Sequence, residues 1–152
     1  MAGILNVMKR LIKKEDIDNV AKELLSVLKP SKTATVMLLE GDLGAGKTTL
    51  VQAIAKALGV MESVVSPTFV IQKRYSVNHE FLKSLIHIDA YRLASGKDIE
   101  KLGWSDWVKS SQNIIIVEWP SLIEEVIPSS VYRVSIDHVD EETRNIKITH
   151  ED

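Results

Sequence analysis

Eight consecutive residues carry the strongest chemical signal in the chain: Gly41, Asp42, Leu43, Gly44, Ala45, Gly46, Lys47 and Thr48, with Thr49 following. They match the pattern G-x-x-x-x-G-K-[ST]. A loop that wraps a phosphate with backbone N–H groups needs residues that tolerate unusual φ and leave room, and Gly41, Gly44 and Gly46 supply them. Lys47 adds a positive charge for β- and γ-phosphates, and Thr48 offers a hydroxyl to Mg²⁺. The competing explanation is a glycine-rich turn carrying an ordinary surface lysine. It leaves unexplained why a buried strand leads into the loop and a helix leads out.

Such a site needs carboxylates at strand ends beside the loop. Two acids end apolar runs: Asp89 after Leu85-Ile86-His87-Ile88, and Glu118 after Ile114-Ile115-Ile116-Val117. In open α/β sheets ligands sit at the carboxyl ends of strands, so both are well placed. Glu118 is the candidate for the metal shell and the attacking water, and Asp89 is the second metal-side acid. The sequence leaves the order of these roles open, as it does the simpler role of capping the next turn. Residues 66–69 (Ser-Pro-Thr-Phe) form a loop able to reach a γ-phosphate, with Thr68 as its contact, or else a rigid turn into a strand. Trp119 stands beside Glu118 and can pack over the site. Tyr91 and Arg92 follow Asp89 toward the same cleft. The four histidines lack metal-ligand spacing, and His87, inside a strand, is expected to be packed or hydrogen-bonded.

These groups are positioned by elements legible in the hydrophobic pattern. Residues 15–28 repeat apolar side chains at steps of three and four, one face of a helix stopped by Pro30. Residues 35–40 (TVMLLE) read as a buried strand and 48–58 as a helix ended by Gly59. Residues 69–77 and 81–89 read as a hairpin, and 98–108 as a weaker helix broken at Gly103. Residues 113–118 form a second buried strand, and 131–137 with 144–149 an antiparallel pair that closes the sheet. Trp104 and Trp107 share one helix face. The expected fold is α/β, in three layers: a mostly parallel central sheet with helices on both faces, an antiparallel hairpin and terminal antiparallel strands.

Composition sets the outer bounds. The 152 residues suit a single domain spanning 1–152. The formal charge of −2 argues against a nucleic-acid binder held by bulk charge. Residues 1–75 nevertheless carry 11 basic and 7 acidic side chains, and residues 76–152 carry 8 and 14. The chain has no cysteine, which excludes disulfides, cysteine nucleophiles and thiolate metal sites. No apolar run approaches the ~20 residues of a membrane helix, and the first residues lack a signal-peptide pattern. The expected location is the cytoplasm, with no membrane partner. There is no [NT]-K-x-D guanine reader and no Asp-x-x-Gly after Asp89, so an ordinary GTPase is excluded. A small-molecule kinase of the nucleoside or shikimate type would use the same loop and Asp89. It also calls for an arginine-rich lid, and Arg10, Arg74, Arg92, Arg133 and Arg144 are scattered. A non-catalytic module, in which nucleotide only stabilises an interaction, is the third reading.

Four linked segments then narrow the choice. Residues 40–49 (EGDLGAGKTT), 66–69 (SPTF), 87–92 (HIDAYR) and 117–120 (VEWP) resemble the TsaE (YjeE) family in order and spacing, over roughly residues 15–149. These are bacterial P-loop ATPases of tRNA threonylcarbamoyladenosine synthesis. The resemblance implies a P-loop fold and binding of ATP or ADP with Mg²⁺. It implies slow ATP hydrolysis that rises in a complex with TsaD and TsaB, where the ATP cycle supports repeated modification of tRNA. Contact with tRNA itself would be indirect or weak. Carried over residue by residue, Gly41, Asp42, Leu43, Gly44, Ala45, Gly46, Lys47, Thr48 and Thr49 hold phosphate. Thr48, Glu118 and Asp89 serve the metal, and Lys47, Glu118 and Asp89 serve catalysis. Thr68 and Trp119 adjoin the nucleotide. Two positions depart from the family's pattern: Ser121 stands where many members have a second glutamate, and Ile17 where many have a threonine.

Overall fold

The computed structural model describes residues 4–42, 44, 46–65 and 71–152, with side chains from residue 7 onward. Leu43, Ala45 and the loop 66–69, with Thr68, lie outside the described residues.

Seven strands form one mixed sheet in the order β1-β7-β6-β2-β5-β4-β3. The strands are β1 (Ile4–Lys13), β2 (Thr35–Glu40), β3 (Gln72–Ser76), β4 (Ser84–Asp89), β5 (Asn113–Glu118), β6 (Val131–His138) and β7 (Thr143–Glu151). Its centre, β6-β2-β5-β4, is parallel, and the flanking pairs β1–β7, β6–β7 and β3–β4 are antiparallel. The parallel strands are buried on both sides, which is why β2 and β5 read as unbroken apolar runs. Alternate residues of these strands enter two separate cores. Met37, Leu39, Leu85, Ile114 and Ile116 pack with α1 (Ile17–Ser26) and α2 (Lys47–Ala57). Val36, Leu38, Ile86, Ile88, Ile115 and Val117 pack with Ile99 of α3 (Gly96–Leu102) and Trp104 of α4 (Trp104–Lys109). Each fully buried Leu or Ile contributes about 1.5–3 kcal/mol through apolar area removed from water. The three expected layers are present.

Most element boundaries agree with the sequence reading. The helix over 98–108 divides at Gly103, whose φ of 118° ends α3 and caps α4. Trp104 is buried and donates its indole N–H to Val126 O at 3.1 Å, and Trp107 packs partly against the same core. One element escaped the pattern. Residues 4–13 form a ten-residue strand, β1, so β6 and β7 do not close the sheet as expected. A bulge between Asn6 and Met8 breaks its alternation, and its exposed positions mix Lys9, Leu11 and Lys13. The strand is fixed by tertiary pairing with β7 from Ile4↔Glu151 to Lys13↔Thr143, which no local signal announces.

Candidate nucleotide site

The site begins where β2 ends. Gly41 has φ of 146°, and a Cβ built on it would lie 2.2 Å from the carbonyl oxygen of Ile136 in β6. Only glycine lets the chain leave the sheet this close to its neighbour. Gly46, at φ of 107°, is the N-cap of α2 and turns the chain into the helix. The loop therefore delivers the free N–H groups and positive end of an eleven-residue helix to the carboxyl edge of the parallel strands. Asp42, Gly44 and Thr49 are exposed around it, and Thr48 is half-buried with no hydroxyl partner among the described residues.

Lys47 is buried, only 6% exposed, which is unusual for a lysine. Its ammonium donates to Gly41 O at 2.7 Å and lies 4.1 Å from the centroid of the Trp119 ring. No carboxylate of the described residues pairs with it. A buried cation held by one carbonyl and one π face is poised for a stronger anionic partner.

Trp119 reaches Lys47 through a strained backbone. It has φ of 59° and ψ of 50°, the one described non-glycine residue at positive φ, and it precedes Pro120. Such a conformation costs on the order of 1–3 kcal/mol for a bulky side chain. Tyr91, 62% exposed, sits with its ring centroid 5.3 Å from that of Trp119. The ends of β4 and β5 thus meet over the phosphate loop.

Parallel register sets Asp89 beside Glu118 and Leu39 beside Glu118. By alternation along the strands, Glu118, Asp89 and His87 all face the α2 side. Glu118 is 5% exposed, and its Oε2 lies 2.7 Å from His87 Nε2. Its Oε1 has no partner among the described residues and is not one of the buried unpartnered atoms. Asp89 caps the turn Ala90–Arg92 by accepting from Tyr91 N at 3.0 Å, which occupies Oδ1 and leaves Oδ2. Among the described residues no three His, Cys, Asp or Glu side chains cluster as an all-protein metal site. The donor set of Thr48 hydroxyl and two carboxylates fits Mg²⁺, which keeps several waters and shares phosphate oxygens.

Two residues near the site make contacts whose partners the sequence did not announce. Arg144 of β7 comes within 3.9 Å of a Cβ built on Gly46, and its Nη1 donates to Asp140 O at 2.7 Å and Thr143 O at 3.0 Å. It lies almost a hundred residues from the loop, and only the sheet order brings it there. Asp140 and Thr143 line a cavity of about 640 Å³ together with Ile12, Asp16, Asn19 and Val139. The Asp140 carboxyl is held below its usual range by the backbone N–H of Glu142, with the Thr143 hydroxyl adding to the effect. The second residue is His87, expected to be packed or hydrogen-bonded, and found to be both.

Comparison with known proteins shows what the chain as a whole resembles. Residues 11–146 match the family described as "Threonylcarbamoyl adenosine biosynthesis protein TsaE". The chain is 34% identical over 149 residues to the tRNA threonylcarbamoyladenosine biosynthesis protein TsaE of Rickettsia bellii, covering 97% of this chain and 98% of that one. It is 36% identical over 140 residues to the protein of the same name from Bacillus subtilis, covering 92% and 83%. The crystal structure of Bacillus subtilis YdiB superposes with a TM-score of 0.72 at 32% identity, over 99% of this chain and 87% of that one. With a family match over residues 11–146 and likeness along nearly the whole length of these relatives, the chain belongs to the TsaE family.

Proposed function

We propose that this chain is the ATP-binding and slowly hydrolysing subunit of tRNA threonylcarbamoyladenosine synthesis, working in the cytoplasm with TsaD and TsaB. The observation that carries the reading is Lys47: a buried ammonium with no carboxylate partner among the described residues, turned into a glycine loop at a helix N-terminus. On binding, the backbone N–H groups from 41 to 48 surround the β-phosphate, and Lys47 exchanges Gly41 O for phosphate oxygen. Thr48, Glu118 and Asp89 would hold Mg²⁺, which supplies charge neutralisation at the transferring phosphoryl group. Glu118, whose Oε1 has no partner among the described residues, would orient the attacking water at the strand end. The nucleoside end extends past Arg144 into the cavity lined by Asp16, Asn19 and Asp140, on the β6–β7 side of the loop. Trp119 and Tyr91 close the phosphate end and offer an aromatic surface to the partner subunits. Thr68 lies outside the described residues, and its contact with the γ-phosphate remains part of the same proposal. Contact with tRNA is indirect or weak, in keeping with the near-neutral charge.

Incubation of the purified chain with labelled ATP, with and without TsaD and TsaB, tests the reading. We expect slow release of free phosphate that rises with the partners, together with formation of modified tRNA. No partner-dependent rise in either, or a phosphorylated metabolite in place of free phosphate, would contradict it.

A further inference from the structure

His87 is completely buried in the middle of β4, with Leu85, Ile86 and Ile88 around it and Ile116 opposite in β5. Its hydrogen-bonding partner among the described residues is Glu118, two positions along on the neighbouring strand, at 2.7 Å from Nε2. Its other nitrogen, Nδ1, is buried and has no partner among the described residues. An ionised carboxylate only accepts hydrogen bonds, so the bond requires the hydrogen on Nε2. With that hydrogen in place, Nδ1 is left as a bare acceptor toward the core, and one oxygen of the carboxylate is engaged by the ring.

A role in folding alone does not account for it. Two apolar residues of similar volume would fit this core as well or better, since desolvation offsets much of the attraction within a buried polar pair. What the pair does supply is orientation. With Oε2 tied to His87, the Glu118 side chain is held at the end of β5, beside Trp119 whose ring adjoins Lys47, and its Oε1 has no partner among the described residues. We propose that His87 is a positioning residue which, as the Nε2–H tautomer, fixes the carboxylate of Glu118 for its work on the metal side of the nucleotide. The inference rests on the reading of Glu118 as that acid, and it adds a residue from the strand that also carries Asp89.

Three measurements on the full chain test it. In long-range ¹H–¹⁵N spectra of the wild-type protein, the buried histidine, assigned by its absence in His87→Gln, should carry its proton on Nε2 with Nδ1 bare. A proton on Nδ1 would overturn the proposal. In the TsaD–TsaB complex, His87→Leu should lower kcat about 10–100-fold and raise the half-saturating Mg²⁺ concentration, leaving Mg²⁺-free affinity for a fluorescent ATP analogue within about twofold. His87→Gln, whose amide N–H₂ can reach the Nε2 position, should restore a large part of the loss. Wild-type kcat and Mg²⁺ dependence in His87→Leu would overturn the proposal. If His87→Leu does not fold, failure of a folded His87→Gln to exceed Glu118→Ala in turnover would overturn it. Glu118→Gln separates the two levels. If it is inactive while His87→Leu is fully active, only the inference about His87 falls. If it turns over like the wild type, the reading of Glu118 falls as well.

Discussion

At the scale of single residues, the proposed function divides labour between a cation that binds and an acid that acts. Lys47 has Gly41 O and the Trp119 face as its ground-state partners, so its charge is held inside the loop before any ligand arrives. Removing it by Lys47→Ala deletes a charge-assisted bond to phosphate worth about 1.5–3 kcal/mol, or roughly 10–100-fold in ATP affinity. Glu118→Ala leaves the loop and the lysine in place. It should therefore lower turnover on the order of 100-fold while changing ATP affinity far less. Titration of a fluorescent ATP analogue alongside steady-state hydrolysis checks both, and equal losses of affinity in the two variants would refute the division. The positions of these residues were legible because the motif is local: eight adjacent residues make up the loop, and each strand ends on its acid. The His87–Glu118 bond and the approach of Arg144 were not legible, because both depend on register between strands far apart in the chain.

At the scale of elements, the glycine turns and caps decide how each segment enters the site. The turn Pro120–Val126 that follows Trp119 is tied to the start of α3, where the Glu125 carboxylate accepts from Gly96 N. A side chain at Gly96 would meet Val126 Cγ1 at 2.6 Å, so the two segments lie in direct contact. The Gly96 backbone N–H, with Glu125's own N–H adding to it, lowers the Glu125 pKa below its ordinary value near 4.5. A depressed folded pKa stabilises the fold above the unfolded value, and the contribution disappears as pH falls through the folded one. Glu125→Gln should therefore be less stable than wild type near neutral pH, with the gap closing in acid below about pH 4. Denaturant melts at neutral and acidic pH measure it, and a gap that widens in acid would contradict the assignment. Elements with a strong period were readable from sequence, down to the break at Gly103. β1 was not, since its bulge spoils the alternation and its partner β7 lies at the far end of the chain.

At the scale of the molecule, the two cores are joined through a sheet whose centre is apolar and whose corners are tied by charge. Arg133 of β6 is the main corner tie. It pairs with Glu40 at the end of β2, with Glu124 in the turn after Trp119, and with Glu151 at the end of β7. Burial works against its charge, but the hydrogen bonds and charges of Glu124 and Glu151 outweigh this and raise its pKa. Glu40 immediately precedes Gly41, so one arm of the tie ends where the chain leaves β2. Arg133→Met would leave three carboxylates close together. It should lower stability by about 1–3 kcal/mol and the melting temperature by several degrees. The loss should shrink in 1 M salt, where both the attraction and the residual repulsion are screened. A melting temperature unchanged at low salt would show that the three pairs contribute nothing. The charge difference between the two halves of the sequence does not survive as two regions, because β1 of the basic half lies against β7 of the acidic half.

All three scales converge on the loop between residues 41 and 48. The most direct measurement is a crystal structure with a non-hydrolysable ATP analogue and Mg²⁺. The account predicts the β-phosphate inside the curl of backbone N–H groups, Lys47 moved from Gly41 O onto phosphate oxygen, and Mg²⁺ between Thr48 and the Glu118 side of the site. A triphosphate bound elsewhere, with Lys47 still on Gly41 O and Trp119, would contradict it.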